Sequence, residues 1–110
     1  MICKPGELIL IPFPYSDLSA KKKRPVLALT GEDKHGDFIA LAITSVKTAE
    51  NVIHIESNIL DHGSLPKPSW IRTDKIFTLS SENLLKSFGK LNQQGMQKVL
   101  DQLCEFVGHN

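Results

Sequence analysis

Nothing in this chain constrains its fold more than the segment from Lys21 to Ser45. Four consecutive cations, Lys21, Lys22, Lys23 and Arg24, run directly into the apolar stretch Pro25-Val26-Leu27-Ala28-Leu29. The segment Thr30-Gly31-Glu32-Asp33-Lys34-His35-Gly36 reverses the chain, and Phe38 to Ile43 follows as a second apolar stretch. Two short runs of strand formers around a glycine-containing polar turn predict a β-hairpin. With the turn centred on Lys34, facing residues sum to about 68 in number, as antiparallel pairing without a bulge requires. Arg24 then faces Thr44, and a one-residue bulge would substitute Ser45. Either way a guanidinium and a hydroxyl meet at one end of the sheet.

The neighbouring segments extend this β pattern. Pro5-Gly6 signals a turn and Leu8-Ile9-Leu10-Ile11 a strand, which Pro12 and Pro14 end. Tyr15 to Lys23 is polar and loop-like. From Asn51 to Glu56 the chain alternates, with Ile53 and Ile55 on one side and His54 and Glu56 on the other, the mark of a half-buried strand. Ser57 to Pro68 reads as a loop turning at Asp61-His62-Gly63. Trp70 to Asp74 reads as a strand that places Trp70, Arg72 and Asp74 on one face. A short helical turn over Ser81 to Ser87 and a last strand over Phe88 to Leu91 follow. The period then changes. Met96, Val99, Leu100, Leu103, Cys104, Phe106 and Val107 recur at helical spacing, predicting an amphipathic helix against the sheet, with Asn92 as N-cap and Gly108 as stop.

These elements fit one domain over residues 1–110, a length that supports one hydrophobic core. With 41% hydrophobic and 23% charged residues the chain need not be disordered anywhere inside. The net charge of +1 is uninformative, but its distribution is not. Residues 1–30 carry five cations against two anions, so any attraction for polyanions comes from that patch. Two isolated cysteines, Cys3 and Cys104, fit a reducing compartment, although a disulfide between them stays open. Lys4, Pro5 and Glu7 precede any apolar run, unlike a signal peptide, and Leu8 to Phe13 is far too short to span a bilayer. The expectation is a soluble cytoplasmic protein.

Candidate chemistry concentrates on two groups of residues. Arg24, fixed at a strand start, loses little further freedom on gripping a phosphate, and its planar fork suits two phosphate oxygens. The opposing Thr44 and Ser45 can donate to such a ligand or simply bond to nearby backbone. Arg72 and Asp74 are either a surface ion pair or a carboxylate base beside a cation that stabilises charge at a reacting phosphate. Guanidinium scarcely deprotonates, so electrostatic duty suits both arginines better than proton donation. Lys21, Lys22 and Lys23 form a basic approach for a polyanion or a solvated surface. Trp70 either packs or stacks a base. The four histidines are scattered, no His/Cys spacing resembles a zinc site, and no glycine-rich phosphate loop or serine elbow occurs, so no metal or nucleotide cofactor is expected.

Taken together, these residues resemble the MazF/PemK (Kid) family of toxins from bacterial toxin–antitoxin pairs. Gly6-Glu7-Leu8-Ile9-Leu10-Ile11 looks like the family's opening strand, and Arg24-Pro25-Val26-Leu27-Ala28-Leu29 like its "RPVLVL" strand. Ala42-Ile43-Thr44-Ser45 looks like its threonine–serine segment, with Ile43 where a proline is usual. Ile71-Arg72-Thr73-Asp74-Lys75-Ile76 resembles the "R-x-D" strand of the PemK side, and Gly89-Lys90-Leu91 the "G-x-L" ending.

The resemblance implies a mainly β, SH3-like small barrel with a C-terminal α-helix, usually a homodimer. It also implies a metal-independent endoribonuclease that cuts single-stranded RNA by attack of the ribose 2′-hydroxyl, leaving a 2′,3′-cyclic phosphate, and that a cognate antitoxin silences. On that pattern Arg24 is the main phosphate-binding catalytic residue and Thr44 or Ser45 its hydroxyl support. Arg72 and Asp74 are cation and general base, and Lys21 to Lys23 with Trp70 bind RNA. Two alternatives remain: a CcdB-like toxin on the same barrel that poisons its target by contact, and an RNA-binding barrel that does not cleave.

Overall fold

A computed structural model of the chain describes residues 4–12, 23–47 and 50–108. Within them the strands are β1 (Glu7–Pro12), β2 (Lys23–Ala28), β3 (Asp37–Thr44), β4 (Val52–His54), β5 (Leu60–Gly63), β6 (Trp70–Ser80) and β7 (Lys86–Leu91), followed by the helix α1 (Gln93–Val107). All pair antiparallel in one curled sheet ordered β4-β6-β3-β2-β1-β7-β5. The expected mainly β architecture with a terminal helix is the one observed.

The hairpin arithmetic holds. Val26 faces Ala42, Leu27 faces Leu41 and Ala28 faces Ala40, each pair summing to 68. Asp33 makes this register possible at the turn, where its Oδ1 accepts from the backbone N–H of His35 (2.8 Å) and Asp37 (3.0 Å). Those two bonds hold the Asp33 carboxyl below its usual range.

Strands β1 to β3 are apolar in near-continuous runs because both of their faces are covered. Leu8, Leu27, Leu41 and Ile43 join Ile53, Ile55, Ile59, Ile71, Leu91 and Val99 in one buried cluster. The alternate residues Ile9, Ile11, Val26, Ala28, Phe38 and Ala40 join Leu79 in a second cluster on the opposite face. Arg24 and Thr44 share the alternation of this second group, at its end.

Several elements differ from the sequence reading. Ser57 to Pro68 is not simply a loop: Ser57–Ile59 is a 3₁₀ turn and β5 pairs with β7, setting His62 opposite Lys90 and Gly63 opposite Gly89. Most of β5 is exposed, so no apolar alternation advertises it. Backbone pairing makes the strand instead, and Gly63 (φ +95°) permits the approach, since a Cβ there would run into the Phe88 carbonyl. β6 continues to Ser80, well past Asp74, and β7 starts at Lys86.

α1 has the expected caps. The Asn92 Oδ1 accepts from the Gly95 N–H at 2.8 Å, and Gly108 closes the helix at φ +82°. Its apolar stripe covers less than expected. Val99 is buried and Met96 and Leu103 partly so, but Leu100, Phe106 and Val107 stay 40–60% exposed. Cys104 is an exposed free thiol, and Cys3 lies outside the described residues. Among the described residues no helix is long and apolar enough to cross a membrane.

Candidate active site

The alternation predicted for the start of β6 is present: Ile71 and Thr73 are buried, while Trp70, Arg72 and Asp74 are partly exposed. Thr73 is anchored from below, its N–H and hydroxyl both donating to the Asn51 carbonyl. Beyond this point the ladder breaks. Ile43 pairs with Ile71 and Leu41 with Ile76, so a single β3 residue, Ala42, stands opposite the four residues Arg72 to Lys75. Such a bulge bends a strand and re-aims its side chains. It inverts the alternation of β6, and residues of opposite parity now share a side.

The result is a hollow of about 210 Å³ lined by Arg24, Ala42, Ile43, Thr44, Arg72, Lys75 and Phe77. β2 delivers Arg24, the end of β3 delivers Thr44, and the bulge delivers Arg72 and Lys75. Three cations thus meet one hydroxyl over an apolar floor. Among the described residues, no carboxylate pairs with Arg24 or Lys75 at ion-pair distance. An arrangement of this kind attracts a compact anion such as a phosphodiester.

Arg72 is the cation whose direction is fixed. Its Nε donates to the Asp74 Oδ1 at 3.1 Å and its Nη2 to the Oδ2 at 2.8 Å, a bidentate pair with both side chains largely covered. The Arg72 guanidinium holds the Asp74 carboxyl below its usual range against the opposing effect of burial, and Asp74 in turn raises Arg72. Two consequences follow. Arg72 is locked in the charged form, and Asp74 is a weaker base than an ordinary carboxylate.

The other sequence-selected residues are distributed unevenly. Thr44, not Ser45, shares the hollow with Arg24, as an unbulged hairpin demands. The Thr44 Oγ1 accepts from the Val46 N–H (3.1 Å), which leaves its hydroxyl proton to donate. Ser45 turns to a separate, more apolar groove of about 550 Å³, beside Leu10, Pro25, Leu65, Lys86 and Phe88. Lys23 is exposed at the start of β2, opposite Pro12, while Lys21 and Lys22 lie outside the described residues. The Trp70 ring stacks on His54, its cross-strand neighbour, with centroids 5.1 Å apart.

Lys75 is the site residue that period-two reasoning missed. Strict alternation places it on the face opposite Arg72 and Asp74, and only the bulge brings it round. Its one sequence signal is adjacency to the Arg72-Thr73-Asp74 triplet. Among the described residues, no three His, Cys, Asp or Glu side chains gather as metal ligands would.

This geometry coincides with a family match. The model of the PemK-like, MazF-like toxins of type II toxin–antitoxin systems matches residues 4–107. The chain belongs to that family. No curated protein matches it by sequence. Among solved structures it is similar to an endoribonuclease in complex with its cognate antitoxin from a mycobacterial species, with TM-score 0.77 and 17% identity over 98% of this chain and 97% of that one. It is also similar to MazF from Deinococcus radiodurans, with TM-score 0.76 and 16% identity over 98% of each chain. A third likeness is the Mycobacterium tuberculosis toxin MazF-mt6, with TM-score 0.73 and 18% identity over 94% of this chain and 98% of that one. At such identities these likenesses establish the fold, and the toxin family is established by the match along the chain.

Proposed function

We propose that this PemK-like, MazF-like toxin is an endoribonuclease that cleaves single-stranded RNA in the cytoplasm. The observation that carries the reading is the convergence of Arg24, Arg72, Lys75 and Thr44 on one small hollow whose described lining contains no carboxylate. In this reading the scissile phosphate sits between the two guanidiniums, and Thr44 donates to a non-bridging oxygen. The ribose 2′-hydroxyl attacks phosphorus, leaving a 2′,3′-cyclic phosphate and a free 5′-hydroxyl. The nucleophile belongs to the substrate, so no metal-bound water is required.

Catalysis is then mainly electrostatic. Charge building on the phosphoryl oxygens meets cations already in place, which cost no reorganisation at the moment of reaction. Arg24 contributes most, because no described carboxylate neutralises it. Asp74 holds Arg72 in position, and its lowered pKa suits that role better than proton abstraction. Lys23 extends the cationic approach along which RNA arrives, together with Lys21 and Lys22, and Trp70 offers a ring for stacking. The toxin works as a homodimer, and its cognate antitoxin blocks the cationic face with an acidic, partly disordered segment. The mycobacterial endoribonuclease of similar fold is itself in complex with its cognate antitoxin.

The test is incubation of antitoxin-free protein with a long single-stranded RNA in EDTA, beside Arg24→Ala. Discrete fragments ending in cyclic phosphate, absent with the variant, are expected. Intact RNA with folded wild-type protein would replace this reading with a contact poison or a non-cleaving RNA-binding barrel.

A further inference from the structure

Resting on the ribonuclease reading, we infer that Lys75 is the general acid that protonates the departing 5′-oxygen. The reaction needs one. When the phosphorus–O5′ bond breaks, its electron pair stays on an alkoxide, a poor leaving group unless it takes up a proton as it departs. The groups lining the hollow narrow the choice of donor. Arg24 and Arg72 are guanidiniums, which scarcely give up a proton in proteins. Arg72 is held further in its charged form by the bidentate Asp74. Ala42, Ile43 and Phe77 carry no acid, and a threonine hydroxyl is too weak an acid for the task. Among the described residues of the lining Lys75 remains, and an alkylammonium readily protonates an alkoxide.

Placement supports the role independently. The β6 bulge interposes Arg72 to Lys75 opposite the single residue Ala42, and this brings Lys75 to the hollow that holds Arg24 and Thr44. Unlike Arg72, Lys75 has no ion-pair partner among the described residues. An ammonium on a flexible stem, attracted by Asp74 but bonded to no described carboxylate, can follow the leaving oxygen, whereas the clamped guanidinium of Arg72 cannot. Lys75 also sits beside the Arg72–Asp74 pair in the chain, so the cation that stabilises charge and the acid that releases the product come from one irregular turn of strand.

The step balances. The 2′-oxygen forms its bond to phosphorus and releases its proton to water. The phosphorus–O5′ bond breaks, O5′ takes a proton from the Lys75 Nζ, and the neutral amine regains a proton from water. Products are the 2′,3′-cyclic phosphate and the 5′-hydroxyl, with no change in total charge.

The experiment compares wild type with Lys75→Arg, which keeps the charge but not the ability to give up a proton. Two RNA substrates of one sequence are used, one ordinary and one with the 5′-bridging oxygen of the scissile bond replaced by sulfur, whose thiolate leaves without protonation. On ordinary RNA the variant is expected to lose about 10²-fold or more in cleavage rate, the scale of general acid catalysis. On the sulfur-bridged RNA it should cleave at close to the wild-type rate. Full activity of Lys75→Arg on ordinary RNA would overturn the assignment, since charge alone would then suffice. Equal impairment on both substrates would overturn it too, because shape would be at fault. A wild type that cleaves neither substrate would remove the ribonuclease reading and the acid with it. Lys75 is exposed, so the variant should fold normally, and circular dichroism of both proteins checks this.

Discussion

The two ends of the β2–β3 hairpin are built on opposite principles. At the turn, polar groups find partners within the protein. Asp33 accepts two backbone N–H groups, the Thr30 Oγ1 accepts from the Ile39 N–H, and the Ser81 hydroxyl donates to Glu32 at 2.8 Å. The Ser81 N–H also donates to the Gly36 carbonyl, tying the turn to the end of β6. At the mouth, Arg24, Thr44, Arg72 and Lys75 gather around open space, and of these only Arg72 has an ion-pair partner among the described residues, Asp74. The same pair of strands therefore ends once in internal hydrogen bonds, with Glu32 Oε1 the one buried polar side-chain atom left without a partner among the described residues, and once in charge that faces open space. Groups at the turn bond within the protein, and under the proposed function groups at the mouth serve a ligand.

Substitutions at the two ends should then separate activity from stability. The largest effect belongs to Arg24→Ala. RNA cleavage in EDTA should fall by about 10²–10³-fold, the range seen on removing one preorganised donor, while the melting temperature stays near wild type. A large fall in melting temperature would show that the mouth is structural after all. Gly36→Val should do the reverse. Gly36 adopts φ +80°, and a Cβ would lie 3.3 Å from the Ser81 Oγ, so about 1–2 kcal/mol of stability should be lost. Specific activity of the remaining folded protein, compared at equal folded fraction by chemical denaturation, should be unchanged.

Asp74→Asn is the intermediate case, because Asp74 serves a ligand-facing residue through an internal bond. Loosening Arg72 should cost about tenfold in cleavage, a charged hydrogen bond discounted for its partial exposure. It also has a pH signature. A folded pKa depressed below the unfolded value makes the pair's contribution whole above the unfolded aspartate pKa of about 3.9, and lost as pH falls towards the folded value. Wild-type stability should therefore decline below about pH 4, less steeply in Asp74→Asn. The residual decline carries the contribution of Asp33, whose pKa is depressed in the same direction. Equal slopes in urea titrations across pH would refute the coupling. Thr44→Val should show the smallest effect, a several-fold loss on the scale of one neutral hydrogen bond, read as initial cleavage rate.

How much of this was legible in the sequence depends on what each feature is made of. The β2–β3 register was readable because turn residues and apolar runs encode it locally, and Arg24 opposite Thr44 followed by arithmetic. The choice of Thr44 over Ser45 rested only on the absence of a bulge in that hairpin, which no residue announces. β5 was hidden because its strand character comes from β7, a partner distant in sequence, and not from its own pattern. The inversion of β6 was hidden for a related reason. Period-two alternation assumes an unbroken ladder, and the break at Ala42 depends on where β3 and β4 dock on either side of Ile71. Lys75 therefore stayed out of sight although it adjoins a quoted motif.

The bulge in β6 is tied on one side only: Arg72 pairs with Val52 of β4 and the buried Thr73 bonds to Asn51, while β3 pairs with none of the four residues. The ladder grips Trp70 and Ile71 on one side and Ile76 to Ser80 on the other, and the residues between are under no pairing obligation to β3 except through Ala42. Lys75 is exposed and pairs with neither neighbouring strand, so its side chain can change without moving the register of either flank. Lys75, the exposed residue of the bulge, is thus the position at which new substrate preferences can be written at the smallest risk to the fold.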